Sequence, residues 1–139
     1  MADAVTNKVL IDTDRLIEIH LTNISDGSGE SGVVKVDPAS VNAFTFNKLQ
    51  PTYFAIMEVV GQISGFSSVE ILFDSNSPAP GVVLAPGYNH IDFTKAGGLF
   101  DPLATGTTGK IKLTTVGASA SSTYDITLLL KKSRAASAW

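Results

Sequence analysis

The side chains that could do chemistry are few and widely spaced. His20 and His90 are the only histidines, and each stands two residues from a carboxylate, Glu18 in one case and Asp92 in the other. Positions i and i+2 of a strand share a face. Either pair could therefore hold a metal or act as a general base once a third group joined it. Neither stretch supplies that group, and the plainer reading is a polar strand face in water.

Residues 25–32 are rich in glycine and carry Asp26 and Glu30. Phosphate-cradling loops lead into a helix whose N-terminus attracts the anion; this loop is acidic and leads into a strand. Carboxylate and carbonyl oxygens suit calcium better, yet Asp26 and Glu30 form no recognised calcium loop, and an ordinary flexible hairpin accounts for the composition. Asp74 and Asp92 could serve as paired carboxylates, but nothing in the sequence sets their separation. No serine or threonine sits in a strand-to-helix elbow. The chain has no cysteine, which excludes disulfides, thiolate metal sites and thiol nucleophiles. The expectation is a protein that is not an enzyme, with no catalytic residues, metal or cofactor.

The elements that carry these groups read as strands. Ile17, Ile19 and Leu21 alternate with Glu18, His20 and Thr22. The same period recurs at Val69, Ile71 and Phe73, at Ile111 and Leu113, and at Tyr124, Ile126, Leu128 and Leu130. Period-two burial is the signature of a strand. The pattern predicts strands over 7–11, 15–24, 33–36, 53–63, 67–74, 82–85, 89–93, 110–116 and 122–132. The stretch 53–63 could pass as a short helix, but Gly61 and Gly65 interrupt it early and it is rich in β-branched residues.

Asp37-Pro38 opens a single helical turn. Pro86-Gly87 predicts a hairpin between its flanking strands, and 94–109 reads as a long polar connection. Such a succession belongs to the all-β class, an antiparallel β-sandwich or jelly-roll-like barrel of about 8–10 short strands. A single domain over 1–132 and a flexible tail over 133–139 are expected.

A chain of 139 residues, 44% of them hydrophobic, can bury a real core. Its net charge of −3 argues against nucleic-acid binding, which needs phosphate-neutralising Lys and Arg. No apolar run is long enough to span a membrane, and no signal peptide is visible at the start. The charge is unevenly spread: Lys110, Lys112, Lys131, Lys132 and Arg134 face only Asp125 from residue 110 onward. Such a basic end could meet an acidic partner or another subunit. Leu99-Phe100, inside a glycine-containing loop, and Trp139, the only tryptophan, are the apolar anchors to set beside it. Trp139, Arg134, Lys132, Lys131, Phe100, Leu99, Lys112 and Lys110 are therefore the candidate interface residues.

The opening Met-Ala-Asp-Ala-Val-Thr, residues 21–31 (Leu-Thr-Asn-Ile-Ser-Asp-Gly-Ser-Gly-Glu-Ser) with Val34-Lys35-Val36-Asp37, and residues 108–117 (Thr-Gly-Lys-Ile-Lys-Leu-Thr-Thr-Val-Gly) carry a resemblance. With residues 122–132, they resemble small virion structural proteins of tailed bacteriophages, most nearly a capsid decoration or cement protein. The middle of the chain, 41–66, carries least of this. The resemblance implies a homo-oligomer, dimer or trimer, made in the host cytoplasm and bound to the major capsid protein lattice on the virion surface. It marks no functional residue. A second expectation from the same setting is a tail, neck or fibre-associated component that binds host surface glycans, for which Tyr88, Asn89 and His90 are the available side chains.

Overall fold

The computed structural model describes residues 3–45 and 47–134. Among the described residues, ten strands form two antiparallel sheets. The larger sheet contains β1 (Ala4–Asp12), β2 (Leu16–Asp26), β10 (Ala120–Ser133), β4 (Tyr53–Ser64) and β7 (Gly87–Asp92) in that order, and the short β8 (Leu99–Phe100) also pairs with β4. The smaller contains β3 (Val33–Val36), β9 (Ile111–Val116), β5 (Ser68–Phe73) and β6 (Ala79–Leu84). The fold is thus the expected all-β, sandwich-like class.

Alternation explains the packing. Ile17, Ile19 and Leu21 of β2, with Tyr124, Ile126, Leu128 and Leu130 of β10, turn inward and meet Val69, Ile71, Phe73, Ile111 and Leu113 of the other sheet in one continuous core. Fully burying each such side chain is worth roughly 1.5–3 kcal/mol. Gly81 on β6 shows how closely the layers meet: a Cβ there would lie 2.8 Å from the Phe73 ring and 3.4 Å from Ile56 of the facing sheet.

A bulge in β4 leaves Met57 unpaired between Ile56, opposite Leu130, and Glu58, opposite Leu129. Met57 instead accepts a hydrogen bond from the Phe93 amide at 2.8 Å. That contact brings the chain after β7 back over β4, where β8 adds to the sheet.

Several expectations about connection change. Residues 82–85 and 89–93 do not form a hairpin: β6 pairs with β5 in one sheet and β7 with β4 in the other. Pro86-Gly87 turns the chain between layers, which the turn chemistry alone does not distinguish from a hairpin. The glycine-rich loop is not a hairpin either, because β2 and β3 lie in different sheets, as do β9 and β10. The connection 94–109 contains a 3-10 turn, Thr94–Ala96, besides β8. The helical turn at Pro38–Ser40 is present, with the Asp37 carboxylate accepting from the Ala39 amide. β10 runs through Ser133, and Arg134 is anchored by donating to the Gln50 carbonyl, so these two residues belong to the body rather than a tail.

Candidate functional site

The basic candidates separate into two groups on opposite faces. Lys112 points outward from β9 and pairs with Asp74 at 2.9 Å, and Lys110 immediately precedes that strand. Hydrogen bonds from Thr108 and then Lys112 hold the Asp74 carboxyl below its ordinary value. Lys131 points outward from the other sheet, where its ammonium lies 6.0 Å from the centre of the Phe100 ring. β10 and β8 flank β4 on either side, with Lys131 and Phe100 both opposite Ala55. Phe100 is 45% exposed, whereas Leu99 packs against the core and is half-buried. A single face of Lys110, Lys112 and Lys131 does not exist, because their strands lie in different layers.

Lys132 is not a surface cation. It is buried, and its ammonium donates to the Asp12 carboxylate, to the Thr13 carbonyl at 2.6 Å and to the Asn42 carbonyl at 2.9 Å. Strand parity is the reason: Leu130 and Lys132 both turn inward, and the turn after β1 together with the Asn42 carbonyl accepts the charge there. Arg134 is half-buried on Gln50. Trp139 lies outside the described residues.

The outer face of the larger sheet carries both histidines. His20 Nε2 lies 2.6 Å from Asp125 of β10, and His90 Nε2 lies 3.2 Å from Glu58 of β4. Each partner thus comes from a neighbouring strand, not from the i±2 position on the same strand. The Asp92 carboxylate is taken by the Thr94 hydroxyl and amide at 2.5 and 2.8 Å, which lower its pKa. Asp74 and Asp92 sit in different layers and form no pair. Tyr88, 66% exposed, borders an open groove of about 630 Å³ that also takes in Thr22, Gln62, Ser64, Thr123 and Asp125.

The glycine-rich loop is organised by a residue that sequence reasoning passed over. The Asp3 carboxylate accepts from the Asp26 and Gly29 amides at 3.2 and 3.1 Å, from Ser25 and Ser28 hydroxyls at 3.0 and 3.2 Å, and from the Asn23 amide at 2.9 Å. Burial opposes ionisation of Asp3, but these donors outweigh it and bring the carboxyl down to about 2. Asn23 also donates to Glu30, which is buried with Lys35 at 2.5 Å and receives the Tyr124 hydroxyl at 2.5 Å. Burial and then the bond to Glu30 raise the Tyr124 pKa. Glu30 therefore turns inward to Lys35, while the Asp26 carboxylate accepts from Ser28. Among the described residues no cluster of three or more His, Asp or Glu side chains is placed to hold a metal ion.

The strand next to this network has a different character. All of β1 from Ala4 to Ile11 is exposed, on both faces, because the smaller sheet does not extend beneath it. Val5 and Val9 are 44% and 51% exposed, and Leu10 and Ile11 are also open.

Fold and surface together define a β-sandwich whose distinguishing feature is an uncovered apolar strand. No protein-family model matches the chain, and no curated protein or solved structure matches it.

Proposed function

We propose that the protein is a non-enzymatic phage virion component, a capsid decoration or cement protein that binds the outer surface of the major capsid lattice and stabilises the head. The observation that carries this reading is β1, a nine-residue strand presenting apolar side chains on a rigid sandwich. An exposed apolar surface of this kind marks an assembly contact. The resemblance of residues 1–6, 21–31, 34–37, 108–117 and 122–132 to tailed-phage structural proteins supplies the setting. Many copies on a lattice turn modest individual contacts into firm attachment through effective concentration, and the protein acts there as a homo-oligomer.

Co-sedimentation with expanded heads that lack the protein tests the reading. Saturable binding at a fixed ratio to the major capsid protein is expected, and absence of binding refutes it. A second reading, a tail, neck or fibre-associated component that binds host glycans, is favoured by the groove beside Tyr88, where an aromatic ring stands among Gln62, Thr123 and Asp125. Recovery of the protein in tail fractions, with sugar binding lost in Tyr88→Ala, selects that reading.

A further inference from the structure

The edges of the two sheets are not equivalent. β3 has only four residues, β6 carries Pro80 and a register shift, and β7 is six residues long with His90 and Asp92 on it. Short length, proline, bulges and charge are the devices that keep strand edges from pairing. β8 spans two residues. β1 is longer than any of these, contains no proline, and has Lys8 as the one charge between Ala4 and Ile11. Its single guard beyond that is a bulge at Leu10.

β1 is also held in place at both ends. Asp3 fastens its start to the loop after β2, and Asp12 fastens its end to Lys132 and to the Asn42 amide at 3.0 Å. Between these anchors the strand pairs with β2 on one side only. The open edge is therefore preorganised, and a strand added to it costs little ordering of β1 itself.

We propose that β1 pairs antiparallel with β1 of a second copy of this chain, across a two-fold axis at Asn7, so that the two larger sheets become one. The side chains select this occupant and this register. With Asn7 facing Asn7, Val5 lies opposite the partner copy's residue 9 and Val9 opposite its residue 5, which gives two valine pairs on the inner face. On the outer face Thr6 meets lysine 8 of the other copy, twice, and the two lysines are kept apart. Opposed apolar pairs stabilise antiparallel strands and like charges directly opposite destabilise them. A surface that matches itself under a two-fold gives a closed dimer rather than a filament. This names the surface for the self-association part of the function proposed above and does not depend on attachment to a shell.

The absence of cysteine makes the register directly testable. In this dimer the two residue-7 Cα atoms are about 4.5–5.5 Å apart, within disulfide range. The two residue-10 Cα atoms are separated by about 20 Å. Sedimentation velocity of the full chain should show a dimer, and Asn7→Lys, which sets two charges face to face at the axis, should give a folded monomer by circular dichroism. Oxidised Asn7→Cys should cross-link to a covalent dimer, and Leu10→Cys should not. A monomeric or trimeric wild type, or cross-linking of Leu10→Cys as efficient as that of Asn7→Cys, overturns the proposal. A dimer that ignores phage heads would sink the decoration reading and leave this one intact; a monomer that binds them would do the reverse.

Discussion

Replacing Lys132 with methionine removes a buried ammonium and keeps most of the hydrophobic stem. Three acceptors lose their donor: the Asp12 carboxylate and the carbonyls of Thr13 and Asn42. The Lys132 side chain is fully buried and that of Asp12 is 17% exposed, so water can reach the orphaned carboxylate only in part. Breaking a buried ion pair from one side costs about 3–5 kcal/mol, and the partial access of Asp12 places this case toward the lower end, about 3–4 kcal/mol. For a chain of this size that corresponds to a fall in melting temperature of roughly 10–15 °C. Equilibrium unfolding in urea, at one fixed protein concentration, reads the effect as a lower midpoint with an unchanged slope.

Lys131→Met, one residue away on the outer face, is the control and should stay within about 0.5 kcal/mol. Adding Asp12→Asn to Lys132→Met should recover part of the loss, because the uncompensated charge is then gone. A loss below about 1 kcal/mol for Lys132→Met would refute the reasoning. It would mean that Lys132 does not clamp the β1–β2 turn to β10.

Two further outcomes follow from the carboxylates. The Asp3 carboxyl is lowered from 3.8 to about 2 in the folded protein, so its ionised form favours folding. That contribution is full above the unfolded value and disappears as pH falls through about 2. Asp3→Ala should flatten the acid limb of a stability–pH curve in that window and speed amide exchange at Asp26 and Gly29; an unchanged limb would show that the loop holds itself. Asp101 behaves oppositely. It is buried, and burial raises its carboxyl despite the 2.8 Å hydrogen bond from the Leu103 amide. Its charge therefore costs stability, which is lost as pH rises through the raised value. Asp101→Asn, which keeps an acceptor for Leu103, should equal or exceed the wild type in neutral-pH stability, and a clear loss in a thermal melt would contradict this.

Much of the strand content was legible because period-two alternation is a local property. Residues 16–23 and 122–132 announce their inward faces without any knowledge of their neighbours, and the same holds for the turn capped by Asp37. The candidate interface was less legible. Lys131 and Lys132 look alike as adjacent cations, yet parity alone already places Lys132 with Leu130 on the inward face. Against that signal stands the cost of burying an ammonium, which only acceptors distant in sequence, at Asp12, Thr13 and Asn42, offset. Asp3, well before the first alternating stretch, gave no local sign of its role, since its partners Asn23, Ser25 and Asp26 come from the far end of β2 and Ser28 and Gly29 from the loop after it.

The chain by itself determined that strands would form, which side chains they would bury, and that thiol chemistry is absent, because these depend on residue type and short spacing. The tertiary structure decided the rest. Strand order sent 82–85 and 87–92 to different sheets, put Lys112 and Lys131 on opposite faces, and matched each histidine with a carboxylate from a neighbouring strand. It also left β1 as an uncovered edge, for a reason no local pattern contains: Val5 and Val9 alternate like core residues, and only the extent of the opposite sheet determines whether anything lies over them.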